Sequence, residues 1–187
     1  MPFNATPRGF TLIELLVVIA VVAIATTMLV PAMMGFVQDN RLTAQLNTLT
    51  SSLLYARNTA AARRADAVLC PSADGAACTG GTDWSVGWIV FVDADGDRRV
   101  DADETVLRHR QALSGDNRIR SSVNRTALRY SPMGRASSIS FWICDARGAA
   151  SAIGITLGTH GRPYVIDDAD GNGVKDYGSR DRDVTCS

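Results

Sequence analysis

Residues 8–34 read Arg-Gly-Phe-Thr-Leu-Ile-Glu-Leu-Leu-Val-Val-Ile-Ala-Val-Val-Ala-Ile-Ala-Thr-Thr-Met-Leu-Val-Pro-Ala-Met-Met. From Phe10 onward the only charge in this stretch is Glu14. Twenty apolar residues rising about 1.5 Å each match the roughly 30 Å hydrocarbon core of a bilayer, which predicts a spanning helix. A carboxylate inside such a helix costs at least about 2.5 kcal/mol at the bilayer centre, so Glu14 is expected to serve a partner. An ordinary secretory signal fits poorly. Its apolar region is shorter, and its small-residue cleavage site follows that region instead of preceding it.

The string Arg8-Gly9-Phe10-Thr11-Leu12-Ile13-Glu14 resembles the class III leader of type IV pilins and type II secretion pseudopilins. The resemblance implies cleavage by prepilin peptidase between Gly9 and Phe10, and N-methylation of Phe10. It also implies a subunit-assembly role for Glu14, which would neutralise the new terminal amine of a neighbouring subunit. Arg8, the only basic residue of the leader, would keep the leader in the cytoplasm. Cleavage would leave 178 of the 187 residues, with the head in the periplasm or, once assembled, outside the cell.

Beyond residue 34 the apolar pattern narrows to a stripe. Leu42, Leu46, Leu49, Leu53, Ala56 and Ala60 recur at alternating spacings of four and three, with Arg41, Gln45, Asn47, Arg57 and Arg63 elsewhere around the helix. One helix from about Phe10 to Arg64 would be roughly 80 Å long, with Pro31 expected to kink it. The divisions expected are a leader over 1–9, a transmembrane half-helix over 10–34, an amphipathic half-helix over 35–65 and a β-rich head over 66–187.

After Ala65 the period changes to two. The stretch 84–92 reads as an apolar strand, and 67–70, 105–109, 126–130, 138–144, 152–157 and 162–166 read as further strands. Strands without interleaved helices predict an antiparallel two-sheet head, so the fold class is α+β: a long N-terminal transmembrane and amphipathic helix carrying an antiparallel β head.

Net charge is zero, from 19 basic and 19 acidic residues, which excludes a global polyanion-binding signature. The distribution is uneven. Residues 67–104 carry two arginines against eight acids, and residues 105–140 carry seven arginines against Asp116. The four cysteines, Cys70, Cys78, Cys144 and Cys186, form an even set in a domain exported by its leader. They allow three pairings. The short loop between the first two and the terminal place of the last favour Cys70–Cys78 with Cys144–Cys186. No spacing matches a structural zinc site.

The head carries further motifs. Gly87-Trp-Ile-Val-Phe-Val-Asp-Ala-Asp-Gly-Asp with Glu104-Thr-Val-Leu, then Tyr130-Ser-Pro-Met-Gly-Arg135, then Gly161-Arg162 before a terminal Cys, are similar to the GspH/FimT family of minor pilins and pseudopilins. With the leader, the resemblance covers most of the chain. It implies a pilin-like protein and a low-copy subunit of a type IV pilus or secretion pseudopilus.

Two acidic stretches have EF-hand-like spacing. Asp93, Asp95, Asp97, Asp101 and Glu104 fall at positions 1, 3, 5, 9 and 12, but Arg98 holds position 6, where the sharp turn needs glycine. In the second, Asp168, Asp170, Asn172 and Asp176 fall at positions 1, 3, 5 and 9 with Gly173 at position 6, while Ser179 holds position 12. Both are calcium candidates, the second ahead of the first, and both also fit solvated loop tips; no other cofactor is expected.

No catalytic constellation is evident, and neither enzymatic activity nor a small-molecule substrate is expected. His109 and His160 are the only histidines, and no serine sits in a nucleophile elbow. Some FimT-like pilins bind double-stranded DNA through a C-terminal Gly-Arg-x-Arg stretch. The matching positions here are Gly161-Arg162-Pro163-Tyr164, so the second arginine is Tyr. Arg180 and Arg182, with Tyr164 and Tyr177 as stacking surfaces, complete the candidate DNA-binding set. The first reading is a minor pilin that primes assembly with other minor and major pilins from the inner membrane. The alternatives are a DNA-uptake pilin in natural transformation and a type II secretion pseudopilin.

Overall fold

The computed structural model describes residues 9–178 and 182–186; the side chains at 28 and 30–32 also lie outside the description. The chain divides into two compact units, one through Asn40 and one from Arg41. A single helix, α1 (Leu12–Arg63), supplies most of the first unit and enters the second. It starts where the Thr11 hydroxyl accepts the backbone N–H of Glu14 at 3.3 Å, which satisfies one of the free donors of the first turn.

In the first unit the apolar side chains are exposed on every side. They include Leu12, Ile13, Leu15, Val18, Val22 and Phe36. Among the described residues no helix is long and apolar enough to cross a membrane; the expected span over 10–34 includes side chains at 28 and 30–32 that lie outside the description.

The second unit is the antiparallel two-sheet head with the rest of α1. One sheet has the order β3-β2-β1-β5, from β1 (Asp66–Pro71), β2 (Gly87–Asp93), β3 (Val106–Gln111) and β5 (Leu128–Tyr130). The other has the order β4-β6-β7-β8, from β4 (Arg118–Ser121), β6 (Ile139–Cys144), β7 (Ile153–Leu157) and β8 (Pro163–Val165). The helix stripe from Leu42 to Ala60 is buried with Leu69, Trp88, Leu128, Phe141, Ile155 and Leu157 in one core between the sheets. Burying each leucine of the stripe contributes roughly 1.5–3 kcal/mol. Polar ties complete the seam. Gln45 donates to the Ser114 carbonyl and accepts from Asn117, Arg57 donates to the Gly134 carbonyl, and the Arg108 guanidinium lies 4.2 Å over the Tyr55 ring.

Two strand assignments change. The apolar run begins as a 3₁₀ turn over Trp84–Val86, capped by the Asp83 carboxylate accepting Ser85 N–H at 2.9 Å, and the strand starts only at Gly87. Gly87 adopts φ 105°, and a Cβ there would collide with the Arg110 carbonyl oxygen across the ladder. Strand β4 was not expected, since only Ile119 of its four residues is apolar and buried.

Each sheet buries part of its outer face under a disulfide-pinned segment. Val68, Cys70, Ile89 and Phe91 lie beneath Cys78, Val100, Val106 and Ala127, next to the Cys70–Cys78 bridge. Trp142, Cys144, Ala152 and Ile166 lie beneath Val174, Tyr177 and Val184, next to the Cys144–Cys186 bridge. These are the two pairings that the spacing favoured.

Candidate functional site

At the N-terminus Gly9 and Phe10 precede the helix and both are exposed. Glu14 is exposed in the first turn of α1, and no ion pair to it is formed among the described residues. Arg8 lies outside the described residues.

The described candidate DNA-binding residues fall into two pairs, Arg162 with Tyr164 at β8 and Tyr177 with Arg182, where Tyr177 N–H donates to the Arg182 carbonyl at 2.9 Å. Arg162 is exposed in the turn that opens β8, and Tyr164 is 55% exposed on that edge strand. Gly161 holds φ 69°, where a Cβ would strike the Gly134 carbonyl oxygen, so this glycine serves a tight backbone crossing. Tyr177 is committed elsewhere. Its ring stacks on Trp142 at 4.9 Å between centroids, which removes it as a free stacking surface. Arg182 is exposed in the tail, and Arg180 lies outside the described residues. A basic cleft that the sequence did not suggest gathers Arg98, Arg125, Arg129 and Arg135 beside Ser131 and Ser137. These arginines are spread over 38 positions and meet only through the pairing of β5 with β1 and the loops beside it.

The acidic stretches both close into tight loops. In the first, Asp93 is buried, and both of its carboxylate oxygens accept backbone N–H groups, from Gly96 at 2.7 Å and Arg98 at 3.2 Å. Glu104 accepts from Ala94 at 2.7 Å and from Asp101 at 3.4 Å. Arg98 takes up φ 65°, so position 6 adopts the glycine-like conformation despite its side chain. Carboxylates from Asp93, Asp95 and Glu104 come within 4.8 Å of one another, as do those of Asp95, Asp97 and Asp101. The charge of Asp97 is the main cause that raises the Asp101 carboxyl above its ordinary value.

In the second, Asp168 accepts N–H groups from Gly171, Asn172 and Gly173 at 2.8, 3.1 and 2.8 Å. The Gly173 bond is the largest cause holding the Asp168 carboxyl below its ordinary value. Oxygens of Asp168, Asp170 and Asp176 lie within 4.8 Å of one another. Asp176 accepts Ala169 N–H through Oδ2 at 2.8 Å, and its Oδ1 is buried with no hydrogen-bond partner. Ser179 lies outside the described residues.

The family model described as Type II transport protein GspH matches residues 45–171, and the model described as Prokaryotic N-terminal methylation motif matches residues 5–30. No curated protein sequence matches the chain. The fold is similar to that of the type IV minor pilin FimU of Pseudomonas aeruginosa in two crystal forms. One has a TM-score of 0.56 at 20% identity, covering 71% of this chain and 92% of that one. The other has a TM-score of 0.53 at 19% identity, covering 67% and 93%.

Proposed function

We propose a specific role for this chain, which belongs to the GspH family: it is a minor pilin of a type IV pilus, set in the inner membrane, cleaved after Gly9, and incorporated with other minor and major pilins to prime assembly. The observation that carries this reading is the first unit of the molecule. Its helix exposes apolar side chains all round and bears Glu14 as its one charge before Asp39. Such a surface is stable only in lipid or against the like helices of a filament core. In either place a carboxylate needs a cationic partner, and the amine freed at Phe10 of an adjoining subunit is one. The head, with a polar surface and two disulfides, suits the oxidising side of that membrane.

Glu14→Ala is expected to leave cleavage at Gly9 intact and to reduce recovery of the protein in sheared pili. Recovery equal to that of the unaltered chain would contradict the assembly role. A pseudopilin in a type II secretion apparatus would share this surface, and co-purification with secretion subunits instead of pilins separates the two.

The exposed Arg162 and Tyr164 favour a second reading, in which the same subunit contacts DNA phosphates. The detergent-extracted full chain should then retard double-stranded DNA at low salt and release it at high salt, and Arg162→Ala should weaken the shift. No retardation at low salt retires this reading.

A further inference from the structure

We propose that the loop over residues 168–176 is a calcium site, built from the side chains of Asp168, Asp170, Asn172 and Asp176 and the backbone carbonyl of Val174. Two independent observations carry it. The first is spacing and conformation. Ligand-type side chains fall at positions 1, 3, 5 and 9 of the loop, and the glycine required at position 6 is present as Gly173 with φ 90°. Three of the carboxylates already bring oxygens within 4.8 Å of one another.

The second is an atom with no bond to make. Asp176 is 9% exposed, and its Oδ1 is sealed from solvent without a donor. Buried carboxylate oxygens are almost always hydrogen-bonded or bound to a cation, because desolvation without a partner is costly. No arginine or lysine among the described residues pairs with Asp168, Asp170 or Asp176. Asp183 adds negative charge instead, since its backbone pairs with that of Asp176 in a β-bridge and its carboxylate accepts from Asn172 Nδ2 at 3.0 Å. A hard divalent cation supplies what the protein withholds.

Calcium is favoured over magnesium by the donor set. Mixed carboxylate, amide and backbone carbonyl oxygens suit the six to eight ligands that calcium takes, whereas magnesium demands near-ideal octahedral geometry and keeps several waters. The stacked pair Trp142 and Tyr177 and the Cys144–Cys186 bridge fix the surroundings of the loop, so the ligands are held before the ion arrives. This site is independent of the assembly role proposed above.

The test is equilibrium dialysis of the detergent-extracted, chelator-treated full chain against radioactive calcium. One equivalent is expected to bind, with a dissociation constant no weaker than about 1 mM, the upper end for extracellular modules. Magnesium at equal concentration should not displace it. Asp176→Asn and the exposed-site variant Asp170→Asn should each weaken binding about tenfold or more, while Asp95→Asn in the other loop leaves it unchanged. Asp170→Asn keeps the test valid if Asp176→Asn fails to fold. No uptake at millimolar calcium, displacement by equal magnesium, or loss of binding in Asp95→Asn with retention in Asp170→Asn each overturns the assignment.

Discussion

The loops at 93–104 and 168–176 start from nearly the same acidic spacing, and each caps the outer face of one sheet beside a disulfide. They differ in how their buried and closing acids are satisfied. In the first loop the buried Asp93 uses both oxygens on the backbone, Glu104 reaches back to close the turn, and Arg98 and Arg99 stand within the run of acids. In the second, Asp168 organises the turn in the same manner, yet Asp176 is left with a buried oxygen that the protein does not bond. The first loop is complete as polypeptide. The second leaves a buried oxygen that the calcium proposed above would fill. The lesson is that two loops of like acidic spacing can differ in a single buried oxygen, bonded by the backbone in one and left without a donor in the other.

The comparison can be broken or sharpened at three places, taken from the largest effect down. The disulfides come first. Cys144 and Cys186 are 42 residues apart, against 8 for Cys70 and Cys78. In the chain-entropy account, removing the longer bridge costs about 4 kcal/mol and removing the shorter about 2.5 kcal/mol. Urea unfolding of the paired Cys→Ser variants should show that order, and equal losses would mean that the second loop is held by contacts other than its tether.

Next are the buried acids. Asp93→Asn places an amide donor against a backbone N–H and should cost about 1–3 kcal/mol. Asp176→Asn, measured in chelator, should change stability by less than about 1 kcal/mol, because no donor faces Oδ1 and a buried charge is removed. Urea midpoints at constant slope decide this, and a loss at Asp176 as large as that at Asp93 would mean that Oδ1 has a partner. The smallest effect is expected at Arg98. Its φ of 65° costs an ordinary side chain about 1–2 kcal/mol, so Arg98→Gly should recover roughly 1 kcal/mol at most, after the added unfolded-state freedom of glycine. Any clear loss in that variant would show that the arginine itself holds the first loop.

Much of this molecule was legible in its sequence. The stripe from Leu42 to Ala60 is the face buried in the core, and the strands richest in branched and aromatic residues, β2, β6 and β7, fall where period and composition put them. What escaped had physical reasons. Strand β4 is half arginine, because its side chains at 118 and 120 face solvent and only Ile119 meets the core. The turn at Trp84 escaped because an apolar tryptophan reads as strand, while the Asp83 cap and the φ of Gly87 impose a 3₁₀ turn. The stacking of Tyr177 on Trp142 depends on the tail folding back across the sheet, which no local pattern encodes. The arginine cleft escaped for the same reason, since its members are brought together only by tertiary pairing.

The central claim is that this is a processed pilin-type subunit whose new terminus joins a neighbour's Glu14. Its most direct test is the intact mass of the protein extracted from membranes of cells with an active prepilin peptidase. The account predicts a chain that begins at Phe10, carries one added methyl group and retains two disulfides. A chain that still carries Met1 through Gly9 in such cells would contradict it.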